Sequence, residues 1–301
     1  MIKINWVKIP SGEYPIGLSQ EQVDTFRKKA RSEAGYSRWP LEEQQQFEDY
    51  ATDRRERWRL FRLGEATELF TTLPPEIVRL EKKYRGVDKL LNVERALAGY
   101  INSTVQVKMK SYYISRFPVT VEQCEAFFNR FDDEKLWKRR ETYLGLENHN
   151  HPEAVEWHIA DLFCQWVGGR LPTSIEWECA ARGSEGFLYP WGNEWNASYL
   201  NLNRVSTPVK AYPEGVSPFG VWDMIGNRAE WTMDLMPHYK GGIEAKYMGE
   251  IAKEKELPDW FYYNASFGAP RPIDATPYYV GFRPILDSWR KRIWTGFQSE
   301  S

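Results

Sequence analysis

The side chains best suited to redox or metal chemistry in this 301-residue chain are three cysteines and four histidines. The thiols, Cys124, Cys164 and Cys179, are odd in number and form no Cys-x-x-Cys pair. Sparse, uneven cysteine use without an export signal predicts free thiols in a reducing compartment, and so a cytoplasmic protein. All three lie in segments of helical pattern, where cysteine behaves as a small buried hydrophobe. The histidines, His149, His151, His158 and His238, give no spacing typical of a structural zinc site.

The elements that must hold these residues are set by a balanced composition. Forty basic against 42 acidic residues leave a net charge of −2, too little to hold a nucleic-acid backbone. With 42% hydrophobic and 27% charged residues the chain lies in the globular range. No run of about 18 apolar residues exists to cross a bilayer. The opening MIKINWVKIP reads as a strand rather than a signal peptide. Aromatics make up 15% of the chain, and their mixing with Gly and Pro predicts a loop-rich fold held by large side chains.

Residues 3–17 alternate apolar and polar and break at Pro10-Ser11-Gly12, the pattern of a hairpin-like strand pair. Between 19 and 102 the chain is highly charged yet nearly neutral. Spaced apolar residues such as Phe47, Tyr50, Trp58, Phe61 and Leu63 predict three or four amphipathic helices there. Strand character returns over 104–114. A helix follows Thr120, which with Gln123 fits a capping box. A second helix is predicted over about 152–167, with Val155, Ile159, Leu162, Phe163 and Trp166 on its apolar stripe. A third starts after Thr173, with Glu176 three residues on. From 183 to 284 loops and short strands dominate.

Several segments, taken in order, resemble the formylglycine-generating enzyme, or sulfatase-modifying factor, family. They are WVKIPSGEYPIG (6–17), YYISRFPVTVEQCEAF (112–127), HPEAVEWHIADLFCQWVGGRLPTSIEWECAARG (151–183), YPWGNEWN (189–196), TPVKAYPEGVSPFGVWDMIGNRAEWT (207–232) and VGFRP (280–284). The resemblance implies an α+β, loop-rich domain of C-type lectin-like fold over 1–18 and 103–284. A charged helical insertion over 19–102 and a C-terminal extension over 285–301 complete the predicted organisation.

Active members of that family oxidise a substrate cysteine with two cysteines near the C-terminus that bind copper(I). The corresponding stretch here, 262–284, contains no cysteine, so a catalytically silent member is expected, with no copper site. The family's sulfoxide-synthase branch binds iron through histidines contributed largely by an added helical domain. Residues 19–102 contain no histidine, and His151 occupies the family's His-Pro turn, so no iron site is identified. A metal-dependent oxidase with an unrecognised site is the enzymatic alternative. The resemblance also implies a structural Ca²⁺ site at Asp223, Gly226, Arg228 and Glu230, a hard-cation set of oxygen donors. The competing reading is that Glu230 only receives hydrogen bonds in a tight loop. A second family calcium site would use Asn201 and Leu202, but the segment supplying its other ligands is shortened.

Without the cysteine pair, the implied role is protein or ligand binding, as a free module or within a larger assembly. The expected display surface comprises Trp260, Phe261, Tyr262, Tyr263, Asn264, Arg271, Asp274, Tyr278 and Tyr279, residue types that dominate interface hot spots; the same residues could instead pack internally. Relatives include variable proteins of diversity-generating retroelements, which offers a second form of the binding reading. Residues 19–102 read either as a solvated lid or as an arm for a protein partner, with Trp39, Trp58 and Phe61 as anchors. Neither nucleic acid nor membrane is an expected partner.

Overall fold

The computed structural model describes residues 2–62, 73–98, 104–130, 149–203, 205–235, 242–246, 258–262, 269–272 and 280–287. Two compact units emerge, one of residues 1–16, 106–250 and 263–301, the other of 17–105 and 251–262. The first mixes strands and helices and the second is helical, which makes the protein α+β.

The strands of the amino-terminal half are β1 (Trp6–Ile9), β2 (Gly12–Ile16), β3 (Val105–Met109) and β4 (Tyr112–Ser115). Between β2 and β3 run α1 (Gln20–Glu33), α2 (Leu41–Arg62), α3 (Pro75–Lys83) and α4 (Val87–Ala98). After β4 come α5 (Val121–Phe128), α6 (Trp157–Trp166) and α7 (Ser174–Arg182). The last strands are β5 (Ala229–Leu235), β6 (Gly242–Lys246), β7 (Ala269–Pro272), β8 (Val280–Gly281) and β9 (Ile285–Asp287).

The predicted hairpin does not form. β1 pairs antiparallel with β4, Trp6 opposite Ser115, and β4 pairs with β9, while β2 pairs with β3. The turn at Pro10-Ser11-Gly12 therefore hands the chain from one sheet to another. A four-stranded sheet has the order β7-β6-β5-β8, with β5 and β8 parallel. Both capping boxes of this unit are present: Thr120 with Gln123, and Thr173 with Glu176.

The helix predicted over 152–167 starts only at Trp157. The residues before it are extended because their backbone is used elsewhere: the Glu153 N–H donates to the Val119 carbonyl and the Val155 N–H to that of Val280. Val155 thus joins the core from a loop, and Leu162, assigned to the apolar stripe, is exposed. Phe163 sits at the centre of an aromatic core, edge-on to Phe282 at 5.2 Å and 5.5 Å from Phe127. At the end of α6 a glycine is required. A Cβ on Gly169 would overlap the Ile285 carbonyl oxygen, where Arg170 and Ile285 exchange two backbone hydrogen bonds.

In the helical unit, α1 opens with a capping box of Ser19 and Gln22 and buries Val23, Phe26 and Ala30, at the spacing of one helix face. α4 packs against α1 and α2.

Candidate functional site

Every cysteine is sealed in the core. Cys124 and Cys164 are wholly buried, and burial raises both thiols well above their ordinary range. Cys179 is pushed up to about 12, mainly by burial and then by Glu178 and Glu176. A thiol so placed stays protonated at neutral pH and is neither a nucleophile nor a soft-metal ligand. The described histidines have separate partners: His149 faces Glu125 at 3.4 Å, His158 faces Glu156 at 3.0 Å, and His151 meets the Ser206 hydroxyl at 3.1 Å. His238 lies outside the described residues. Among the described residues no group of three His, Cys, Asp or Glu side chains is placed to hold a metal ion.

The loop from Asp223 to Glu230 brings the calcium candidates together, and the Glu230 carboxylate has partners inside the protein. Glu230 accepts from the Arg283 Nε at 2.6 Å and Nη2 at 2.5 Å, and from the Trp177 indole at 2.7 Å. Its charge is thus met by a guanidinium, with both residues almost fully buried. Burial pushes the Asp223 carboxyl up to about 7, against the opposing pull of Arg283 and the Asn227 amide. Asn201, the candidate for the second site, spends its amide inside the loop, donating to the Val205 carbonyl and accepting from the Asn203 N–H. Gly226 serves the turn, with φ of +76° against the Asn201 backbone. Arg228 supplies only its backbone carbonyl to the proposed set. Of the two readings of Glu230, internal hydrogen bonding is the one its contacts support.

The residue that sequence reasoning left without a role is Arg283. Its guanidinium also donates to the carbonyls of Ser115, Trp222 and Asp223, so one buried side chain ties the end of β4, the 222–223 loop and β5. The signal was present, since an arginine between Phe and Pro in an apolar segment needs a carboxylate when buried.

The expected display surface is corrected at two positions. Trp260 and Phe261 are buried, 5% and 0% exposed, because they pack on Phe26 of α1 with ring centroids at 5.6 and 4.9 Å. Tyr262 shares their helical turn and Arg271 lies in β7 opposite Ile243, with side chains outside the described set. Tyr263, Asn264, Asp274, Tyr278 and Tyr279 also lie outside the described residues. Of the expected arm anchors, Trp39 is buried, stacked on Tyr84 at 4.7 Å and set edge-on to Phe47. It is a core residue of the helical unit, since an indole only 4% exposed has no face left for a partner. Trp58 and Phe61 lie on α2, their side chains outside the described set.

An α+β domain with its loops tied by a buried ion pair and its thiols sealed away is a loop-bearing scaffold. The chain matches the sulfatase-modifying factor enzyme 1-like domain over residues 84–288, and it belongs to that family. It is a member without cysteine in the 262–284 stretch. The chain is 35% identical over 148 residues to the serine/threonine-protein kinase pkn1 of Chlamydia caviae, covering 43% of this chain and 24% of that protein. It is 41% identical over 92 residues to the inactive C-alpha-formylglycine-generating enzyme 2 of Bos taurus, covering 26% of this chain and 31% of that protein. The chain thus spans about a quarter to a third of the curated relatives it matches. In fold it is similar to PvdO from Pseudomonas aeruginosa, with a TM-score of 0.53 and 15% identity over 94% of each chain.

Proposed function

We propose that this chain is a catalytically silent member of its family that acts as a binding module. The observation that carries the reading is the state of its thiols: three cysteines, all buried and all raised above the ordinary thiol range. Copper(I)-dependent oxidation of a substrate cysteine needs an accessible thiolate pair, and no cysteine here supplies one. Similarity to a relative named as inactive supports the same reading.

Within this reading the family domain adopts the C-type lectin-like arrangement, with the helices of 19–102 as an insertion into it. Residues 262–279 then remain the surface for a protein partner, without Trp260 and Phe261. Three unpaired thiols favour a reducing compartment, and so the cytoplasm.

Alkylation followed by intact-mass measurement tests the thiols directly. The native chain is expected to take up no iodoacetamide within minutes at pH 8, and three adducts after denaturation. A native adduct forming at the rate of a free thiolate contradicts the reading.

A further inference from the structure

A cleft of about 510 Å³ opens where the start of β1, the residues after β4 and two loops meet, and Trp6, Arg116, Phe117, Lys210 and Trp222 line it together with Asn5. That volume falls within the roughly 300–1,000 Å³ usual for small-molecule sites. The backbone builds its walls. Trp6 stands opposite Ser115 in the β1–β4 ladder, and the pairing runs on one step as the Arg116 N–H donates to the Asn5 carbonyl at 2.6 Å. The Arg116 carbonyl in turn accepts from the Trp222 N–H at 2.8 Å. From the core side, Arg283 donates to the carbonyls of Ser115 at 3.3 Å and Trp222 at 3.0 Å. A fully buried guanidinium therefore fixes the spacing of two walls, so the cleft is preorganised.

The chemistry of the lining is specific. The half-buried rings of Phe117 and Trp222 meet at 5.8 Å with planes 50° apart. Lys210 holds its Nζ over the Phe117 ring, 5.4 Å from the centroid, and Arg116 and Lys210 are both exposed. Neither cation meets a carboxylate among the described residues, and no acidic side chain lines the cleft. Arginines elsewhere are otherwise disposed: Arg31, Arg170, Arg182 and Arg283 each face a carboxylate within 3.0 Å. Two cations without a carboxylate partner among the described residues, beside flat aromatic faces, complement a ligand that joins negative charge to a ring.

We propose that this cleft binds a small anion carrying an aromatic ring. The ring lies against Trp6, Phe117 and Trp222, and the carboxylate or phosphate is held by Arg116 and Lys210. Arg116 offers a planar fork to two oxygens, and Lys210 exchanges its ring contact for the anion. The proposal does not rest on catalytic silence, since a thiol oxidase could carry the same cleft and the alkylation result would leave it untouched.

The test is a titration of the full chain followed by its ¹⁵N indole signals, with those of Trp6 and Trp222 assigned from Trp6→Phe and Trp222→Phe. Phenyl phosphate and benzoate supply ring and charge together; benzyl alcohol supplies the ring alone and inorganic phosphate the charge alone. At least one ring-bearing anion is expected to shift both assigned signals with a dissociation constant of about millimolar, the range of a fragment this size. Which of the two binds more tightly separates phosphate from carboxylate recognition. Each half-ligand is expected to bind at least about fivefold more weakly. Arg116→Gln with Lys210→Gln is expected to weaken binding about tenfold, with the other indole signals unmoved as the control for folding. The proposal is overturned if both ring anions leave the two signals unmoved at about 20 mM, if benzyl alcohol or phosphate alone binds as well, or if the double variant with an intact spectrum binds as the parent does.

Discussion

Each unit buries a carboxylate against arginine, and the two do so in opposite ways. In the α+β unit Glu230 and Arg283 are 1% and 0% exposed and paired one to one. In the helical unit Glu94, 2% exposed, faces Arg27, Arg31 and Arg55 at 3.2, 3.0 and 3.2 Å, all three partly in water. Arg31 also forks onto Glu48, and Arg27 reaches Asp24. A buried pair gains little net stability, because desolvation offsets its attraction, but it fixes geometry: remove one partner and the other is stranded. A hydrated cluster shares its charge among several partners, so no member is indispensable. The first arrangement suits a domain whose loops must hold a shape without regular structure. The second suits helices whose packing is already fixed by Phe26, Phe47 and Trp39.

The largest test of this contrast is Arg283→Met, which leaves Glu230 buried without a cation and three carbonyls without a donor. A loss of about 3–5 kcal/mol by chemical denaturation is expected, partly restored by adding Glu230→Gln. A loss below about 1 kcal/mol would mean that the loops are held by other contacts. Glu94→Gln in the helical unit is expected to cost less, about 1–2 kcal/mol, because Arg27 and Arg31 keep a second carboxylate, Arg55 keeps the Thr52 hydroxyl, and all three are partly exposed. Equal losses from the two substitutions would erase the distinction.

A smaller effect comes from a carboxyl with neither arrangement. Burial pushes Glu153 from 4.5 up to about 7, against the pull of the Ala154 N–H and Arg228, while Glu125 adds to the rise. An acid raised in the folded state favours its neutral form there. Its contribution is therefore whole below about pH 4.5 and is lost as pH climbs through about 7. Glu153→Gln is expected to match the parent near pH 4.5 and to exceed it by about 2–3 kcal/mol at pH 8, read by urea denaturation. A variant less stable than the parent at pH 8 would show that the ionised carboxylate is the form the fold uses.

What could be read from the sequence was local. The capping boxes at Thr120 and Thr173 were legible because each is closed by a side chain three residues on. The helices of 19–98 were legible from spaced apolar residues and proline breaks, and the family match bears out the resemblance carried by the ordered segments. Pairing across the chain was not. Nothing local to Trp6–Ile9 states that its partner is Tyr112–Ser115 rather than the adjacent strand. Trp260 and Phe261 carry the residue types of a display surface and of a core alike, and only Phe26, far away in sequence, decides between them. Likewise the sequence offers Glu230 both as a calcium ligand and as an internal acceptor, and its partner Arg283 lies 53 residues away. The cleft at Trp222 has no local signature, because its five aromatic and basic residues come from four separate segments.

Catalytic silence is tested most directly by incubating the chain with copper(I), oxygen and a cysteine-bearing sulfatase-type peptide, and following the peptide by mass spectrometry. The buried thiols predict no conversion beyond a protein-free copper control. Formation of formylglycine in proportion to the chain would contradict the assignment and require a reacting group other than these three cysteines.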